Sequence, residues 1–200
     1  MEYDITARQA VYLKGGYSMV NERLNGRSRG IEDPEASWQC LLYGDQGSAF
    51  SGRLTAIVPI GDKKCCIRYG KFGVEFKLLY SRIFELFNRQ WWYDLNLGYR
   101  TYTGFPSDQL RSNFSIGCTI TPNFWILSST QLYYGLGHGD SQVNRNNICF
   151  NSNFRLLTTQ VQGIIQIYKH LALNAGGFFH LWGENVGAGG GVYGGAWVIF

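Results

Sequence analysis

The residues able to do chemistry are few and scattered. The three histidines, His138, His170 and His180, fall in a loop, a tight turn and a strand pattern. None has a second histidine or a carboxylate at metal-ligand spacing. Each reads as a solvated or interior polar residue. His180 with Asn174 and Glu184 is the one grouping with hydrolytic chemistry, and no G-x-S-x-G motif supplies a nucleophile beside it. Five cysteines, Cys40, Cys65, Cys66, Cys118 and Cys149, form no C-x-x-C pair, and their odd number fits no complete disulfide framework. Cys40 and Cys118 sit at apolar strand positions and read as isolated thiols. The glycine-rich stretch Gly187 to Gly195 has no following Lys-Ser/Thr and leads into a strand, so it is not a phosphate loop. These residues predict no catalytic group, no metal centre and no cofactor.

Charge is the remaining candidate. Lys14, Arg53, Glu75, Lys77, Asp94, Arg100 and Arg111 all fall opposite the apolar ridges of alternating segments, together with Gln131, Gln160, Gln162 and Gln166. Five cations stand against two carboxylates. On the inside of a pore they would bias passage toward anions. In a narrow barrel they would instead pair into a structural ladder that fills the interior.

The elements that must position these charges are strands. Alternation with period two is strong. Leu110, Ser112, Phe114, Ile116, Cys118 and Ile120 share one face, with Arg111, Asn113, Ser115, Gly117 and Thr119 on the other. Trp91 to Tyr102 and Leu171 to Leu181 alternate in the same way. Ten strands are predicted, over 9–19, 36–44, 48–59, 71–83, 89–103, 108–120, 124–136, 155–168, 171–181 and 188–200. Several reach the length that a tilted bilayer-spanning strand needs, about 9–11 residues. Composition agrees: 45 % of residues are apolar and only 16 % charged, against a usual charged share of about 25 %. Glycine, at 26 of 200 residues, is near twice its usual share of about 7 %. No run of about 20 apolar residues occurs, which excludes a transmembrane helix. The net charge of +4 and the scattered basic residues argue against a nucleic-acid partner.

The connections sort by length. Asp45-Gln46-Gly47, Thr121-Pro122-Asn123 and Lys169-His170 are tight, and Phe84 to Asn88 is a little longer. Val20 to Glu35, Ile60 to Gly70, Gly104 to Ser107, Gly137 to Phe154 and Trp182 to Gly187 form a generally longer and more polar set. The two sets alternate, so one end of the sheet carries the tight turns and the other the longer loops. That asymmetry marks outer-membrane barrels. Aromatics near strand ends (Tyr12, Trp38, Trp91, Trp92, Trp125, Tyr133, Tyr134, Tyr168 and Trp182) suit girdles at the two membrane interfaces.

In the last strand Val192, Ala196, Val198 and Phe200 share a face, and the chain ends on Phe200. This pattern looks like the signal that the bacterial barrel-assembly machinery reads. A wider resemblance rests on Glu2-Tyr3-Asp4-Ile5-Thr6, Ala56-Ile57-Val58-Pro59-Ile60-Gly61, Leu97-Gly98-Tyr99-Arg100, Ile120-Thr121-Pro122-Asn123 with Trp125, Gly183-Glu184-Asn185 and Ala196-Trp197 with Phe200, in that order. The chain resembles a poorly characterised family of proteobacterial outer-membrane barrels, broadly similar to fatty-acid and aromatic-hydrocarbon transport barrels. The resemblance implies that Glu2–Thr6 closes an earlier strand that is missing here, together with the signal peptide. It also implies that residues 1–200 carry the last ten of twelve strands in one barrel domain.

The expectation is an all-β, antiparallel up-and-down transmembrane β-barrel of about ten strands in a bacterial outer membrane. Its partners would be outer-membrane lipid, the assembly machinery and a small-molecule solute. Its role would be that of a channel or transporter for small solutes, hydrophobic ones included. Two rivals remain: a non-conducting barrel whose loops at Val20–Glu35 and Gly137–Phe154 bind a surface, and a soluble ligand-binding barrel.

Overall fold

The structure, a computed structural model, describes residues 2–22, 26–60, 70–104, 106–137, 153–186 and 189–198. Thirteen strands lie among them: β1 Glu2–Thr6, β2 Gln9–Lys14, β3 Tyr17–Glu22, β4 Gly26–Ile31, β5 Glu35–Gly44, β6 Ser48–Ile57, β7 Gly73–Leu86, β8 Arg89–Tyr102, β9 Gln109–Thr121, β10 Phe124–Gly135, β11 Arg155–Tyr168, β12 Leu171–Glu184 and β13 Gly190–Val198. Eleven of them form one antiparallel up-and-down sheet in the order β1-β2-β5-β6-β7-β8-β9-β10-β11-β12-β13. β3 and β4 pair separately as a hairpin between β2 and β5. Four strands are 14 residues long, far beyond the usual length of about 5–6. Among the described residues no helix is long and apolar enough to cross a membrane, which leaves crossing by strands an open matter.

Burial decides what alternation left open. The face that the curved sheet encloses is polar. Glu75 is 1 % exposed, Gln109 0 %, and Ser51, Thr55, Arg100, Ser115, Ser129 and Gln162 are buried with them. The outer face is apolar. Leu54, Phe76, Leu95, Leu97, Phe114, Ile126, Val161, Ile165, Phe179 and Leu181 all stand exposed. In water this arrangement would hide the wrong half of each strand. Register keeps the faces aligned: Arg53 pairs with Lys77, Glu75 with Arg100, and Arg100 with Gln109. Their side chains therefore meet on one side from β6 to β9.

Three expectations are corrected. Glu2–Thr6 is a strand in its own right, paired with β2 through Glu2↔Tyr12 and Asp4↔Ala10, so the main sheet has eleven strands and not ten. Alternation over five residues was too short to reveal it. The predicted strand 9–19 breaks at Gly15-Gly16, where the backbone leaves the main sheet for β3. The predicted turn at Phe84 to Asn88 tightens to two residues, because Phe87 and Asn88 both take positive φ, 55° and 57°. Two successive left-handed residues make the hairpin turn whose twist matches the strands. The tight turns all lie at one end, and the longer connections lie at the other.

Candidate functional site

A polar cavity of about 250 Å³ lies on the enclosed face, toward the long-loop end. Alternation in β7 turns Glu75 and Lys77 inward while Phe76 and Leu78 point out. β8 brings Arg100 opposite Glu75, β6 brings Arg53 opposite Lys77, and β9 brings Arg111 opposite Gly98. Gly98 matters here, because a Cβ at that position would lie 3.2 Å from the Phe76 carbonyl oxygen and 3.3 Å from both Glu75 Oε1 and Lys77 Cε. Lys14 and Glu35 close the cavity from β2 and β5.

Arg100 is the hub. Its Nη2 donates to Glu75 Oε2 at 2.6 Å, and its Nη1 to Glu35 Oε1 at 2.9 Å and the Tyr102 hydroxyl at 3.2 Å. Lys77 Nζ lies 3.3 Å from Glu75 Oε1, and Lys14 Nζ 3.7 Å from Glu35 Oε2. Both carboxylates are thus spent on Arg100, Lys77 and Lys14. Arg53 instead donates to the Gln39 amide oxygen and stacks 4.3 Å over the Tyr12 ring. Arg111 donates to the Gln109 amide oxygen at 3.0 and 2.8 Å and stacks 4.8 Å from the Tyr133 ring centroid. Both guanidinium groups are held in place by neutral groups, and among the described residues neither forms an ion pair. The cavity lining carries five cations and two carboxylates, so it presents a positive interior.

Six of the seven charges singled out from the sequence meet here: Lys14, Arg53, Glu75, Lys77, Arg100 and Arg111. Asp94 does not. It lies further toward the tight-turn end of β8 and accepts a hydrogen bond from the Ser81 hydroxyl. Sequence reasoning missed Glu35 and Gln39, although Glu35, Ser37 and Gln39 alternate with Ala36, Trp38 and Cys40. It also missed Gln109, which orients Arg111.

The other candidates are placed as follows. Asn174 donates to Gln162, and Glu184 pairs with Arg155 at 2.7 Å. His180 is six residues from Asn174 along one strand, about 20 Å at the usual rise. The three residues are therefore not brought together in one site. Cys40 and Cys118 are free thiols. His138, Cys65, Cys66 and Cys149 lie outside the described residues, as does Phe200. Val192 and Val198 are 90 % and 59 % exposed on the outer face of β13, in phase with Ala196. Among the described residues no group of three or more His, Cys, Asp or Glu side chains could hold a metal ion. The girdle expectation is corrected in part. Register turns Tyr12, Trp92, Trp125 and Tyr133 inward, because each pairs with positions of the enclosed face. Trp91 and Tyr134 keep their outward positions.

No family model matches this chain, and no curated protein matches it. Among solved structures it is similar to the COG4313 outer membrane channel from Pseudomonas putida F1, with a TM-score of 0.73 and 11 % identity. The match covers 96 % of this chain and 76 % of that one. At that identity the likeness establishes the fold: an all-β, up-and-down sheet of the outer-membrane barrel type.

Proposed function

We propose that the protein is a channel of a Gram-negative outer membrane that passes small solutes through a positively charged interior. One observation carries this reading: the sheet encloses its charged face and exposes its apolar one. Such a surface needs lipid around it. Its interior, with five cations against two carboxylates, favours anions. The fold of the channel from Pseudomonas putida is consistent with passage through such a barrel. The exposed apolar row of β13 suits recognition by the assembly machinery.

Refolded protein tests this in two steps. Unboiled protein should migrate as a compact band that shifts on boiling. In planar bilayers it should then give discrete current steps whose reversal potential under a salt gradient reports anion preference. A heat-modifiable band without current would overturn the channel and leave a non-conducting barrel. Soluble, monomeric behaviour in plain buffer would overturn the membrane reading as well.

A further inference from the structure

The charged cavity also holds neutral hydrogen-bond donors, and register sets them beside one of its cations. Arg111 of β9 pairs with Gly98 of β8 and with Tyr133 of β10. Two residues further along β9, Asn113 pairs with Asn96 and Gln131 on the same two strands. Asn96 and Gln131 are therefore the diagonal neighbours of Arg111 on the enclosed face, about 7–8 Å away between backbones. All of them line one cavity of about 250 Å³. That is the volume of about eight liquid waters, room for one small organic solute.

Neighbours decide which donors stay open. The Gln109 amide oxygen takes Nε and Nη2 of Arg111, which leaves Nη1 uncommitted. The Tyr133 hydroxyl donates to Gln131 Oε1 at 2.8 Å, so the Gln131 amide nitrogen is the end left for the cavity. Asn113 is spent on Ser115 and Ser129. Among the described residues nothing hydrogen-bonds the Asn96 side chain. One guanidinium and two amides thus face a common space with donors to spare. The guanidinium and the Gln131 amide are oriented before a solute arrives, which lowers the cost of binding one.

Water satisfies such groups when no solute is present, and a solute that displaces it has to return the hydrogen bonds. An inorganic anion meets Arg111 and gains nothing from the amides. A neutral sugar meets the amides and brings no charge to the guanidinium. An aliphatic carboxylate meets Arg111 but lays methylenes against Asn96 and Gln131, whose hydrogen bonds are then lost without replacement. A carboxylate with hydroxyls along a short chain satisfies all three. Resting on the channel reading above, we infer that the solute class is a polyhydroxylated carboxylate, a sugar acid, with gluconate as its open-chain representative. Its carboxylate is met by Arg111 and its hydroxyls by Asn96 and Gln131.

Competition with chloride current in planar bilayers tests it, with three six-carbon probes: gluconate, hexanoate and sorbitol. Gluconate should reduce the chloride current at a concentration about tenfold lower than hexanoate, the increment that two hydrogen bonds contribute. Sorbitol, which has the hydroxyls without the charge, should leave the current unaltered at that concentration. Asn96→Ala should raise the gluconate concentration needed by about threefold and leave that of hexanoate where it was. Should that variant lose its compact unboiled band, Gln131→Ala removes the other amide and should have the same selective effect. Gluconate that blocks no better than hexanoate overturns the inference, as does block by sorbitol, or an amide variant that shifts gluconate and hexanoate alike. Those results leave the channel itself standing. A complete absence of current in the parent overturns both.

Discussion

Leu97→Arg separates a lipid-facing sheet from a soluble one. Leu97 lies on the outer face of β8, is 53 % exposed, and pairs with Leu78 and Ser112. It sits less than two residues from the midpoint of the strand, which places it within about 5 Å of the sheet's mid-height. In water, arginine at a half-exposed position alters stability by about 0.5 kcal/mol or less. At the bilayer midplane of a barrel it costs about 2–4 kcal/mol. A value near 3 kcal/mol lowers the folded-to-unfolded ratio about 150-fold. Leu86→Arg is the internal control. It lies on the same outer face at the tight-turn end, where the cost falls to about 0–1 kcal/mol. Urea unfolding of both variants in phospholipid vesicles, followed by tryptophan fluorescence and gel mobility, reads the difference directly. If Leu97→Arg matches the parent within about 0.5 kcal/mol in vesicles, the outer face is not in lipid and the reasoning fails.

Other outcomes follow from the same coordinates. Glu75→Ala takes a partner from Arg100 and the carboxylate from Lys77, and should destabilise by about 3 kcal/mol in the same unfolding assay. Gly176→Ala places a Cβ 2.4 Å from the Val161 carbonyl oxygen and should cost about 1–3 kcal/mol, because backbone has to move. Gly194→Ala, whose nearest neighbour would lie at 3.5 Å, should stay within about 0.5 kcal/mol. Asp45 accepts backbone hydrogen bonds from Gly47 at 2.8 Å and Ser48 at 2.6 Å, and these hold its carboxyl below the ordinary value. A lowered value means its contribution is present above the unfolded-state value of about 3.9 and is lost as pH falls through the folded one. The stability gap between the parent and Asp45→Asn should therefore be constant above about pH 5 and close below about pH 4.

Much of this architecture is written in period two. The faces of β8, β9 and β12 follow from which residues share parity, and so does the gathering of Arg53, Glu75, Lys77, Arg100 and Arg111. Parity says which residues go together but not which set is enclosed. That answer comes from the curvature of the sheet, a long-range property. Local reading also failed where a pattern was short or interrupted. Five residues of β1 are too few to show alternation, and Gly15-Gly16 ends one ladder before the hairpin β3–β4 starts another. Trp91 and Trp92 carry a different lesson. Neighbours on a strand point to opposite faces, so the two could never have shared a girdle. Composition grouped them, and geometry sends one to the outer face and the other to the enclosed face. The partners of the cations were hidden for another reason. Gln39 reaches Arg53 through the β5–β6 register, which no local window contains, whereas Gln109 sits two residues from Arg111 on the same face of β9, a spacing that parity alone does not mark as a contact.

The number of strands in the main sheet has a mechanical corollary. Direction reverses at every step, so β1 and β13, the first and eleventh, point the same way. Laid edge to edge they would form a parallel seam, with slanted hydrogen bonds, inside an otherwise antiparallel wall. Such a seam would be the line along which the cylinder unzips first under load. One more reversing strand between the two edges, from whatever source, would remove the mismatch and spread the strain evenly around the circumference.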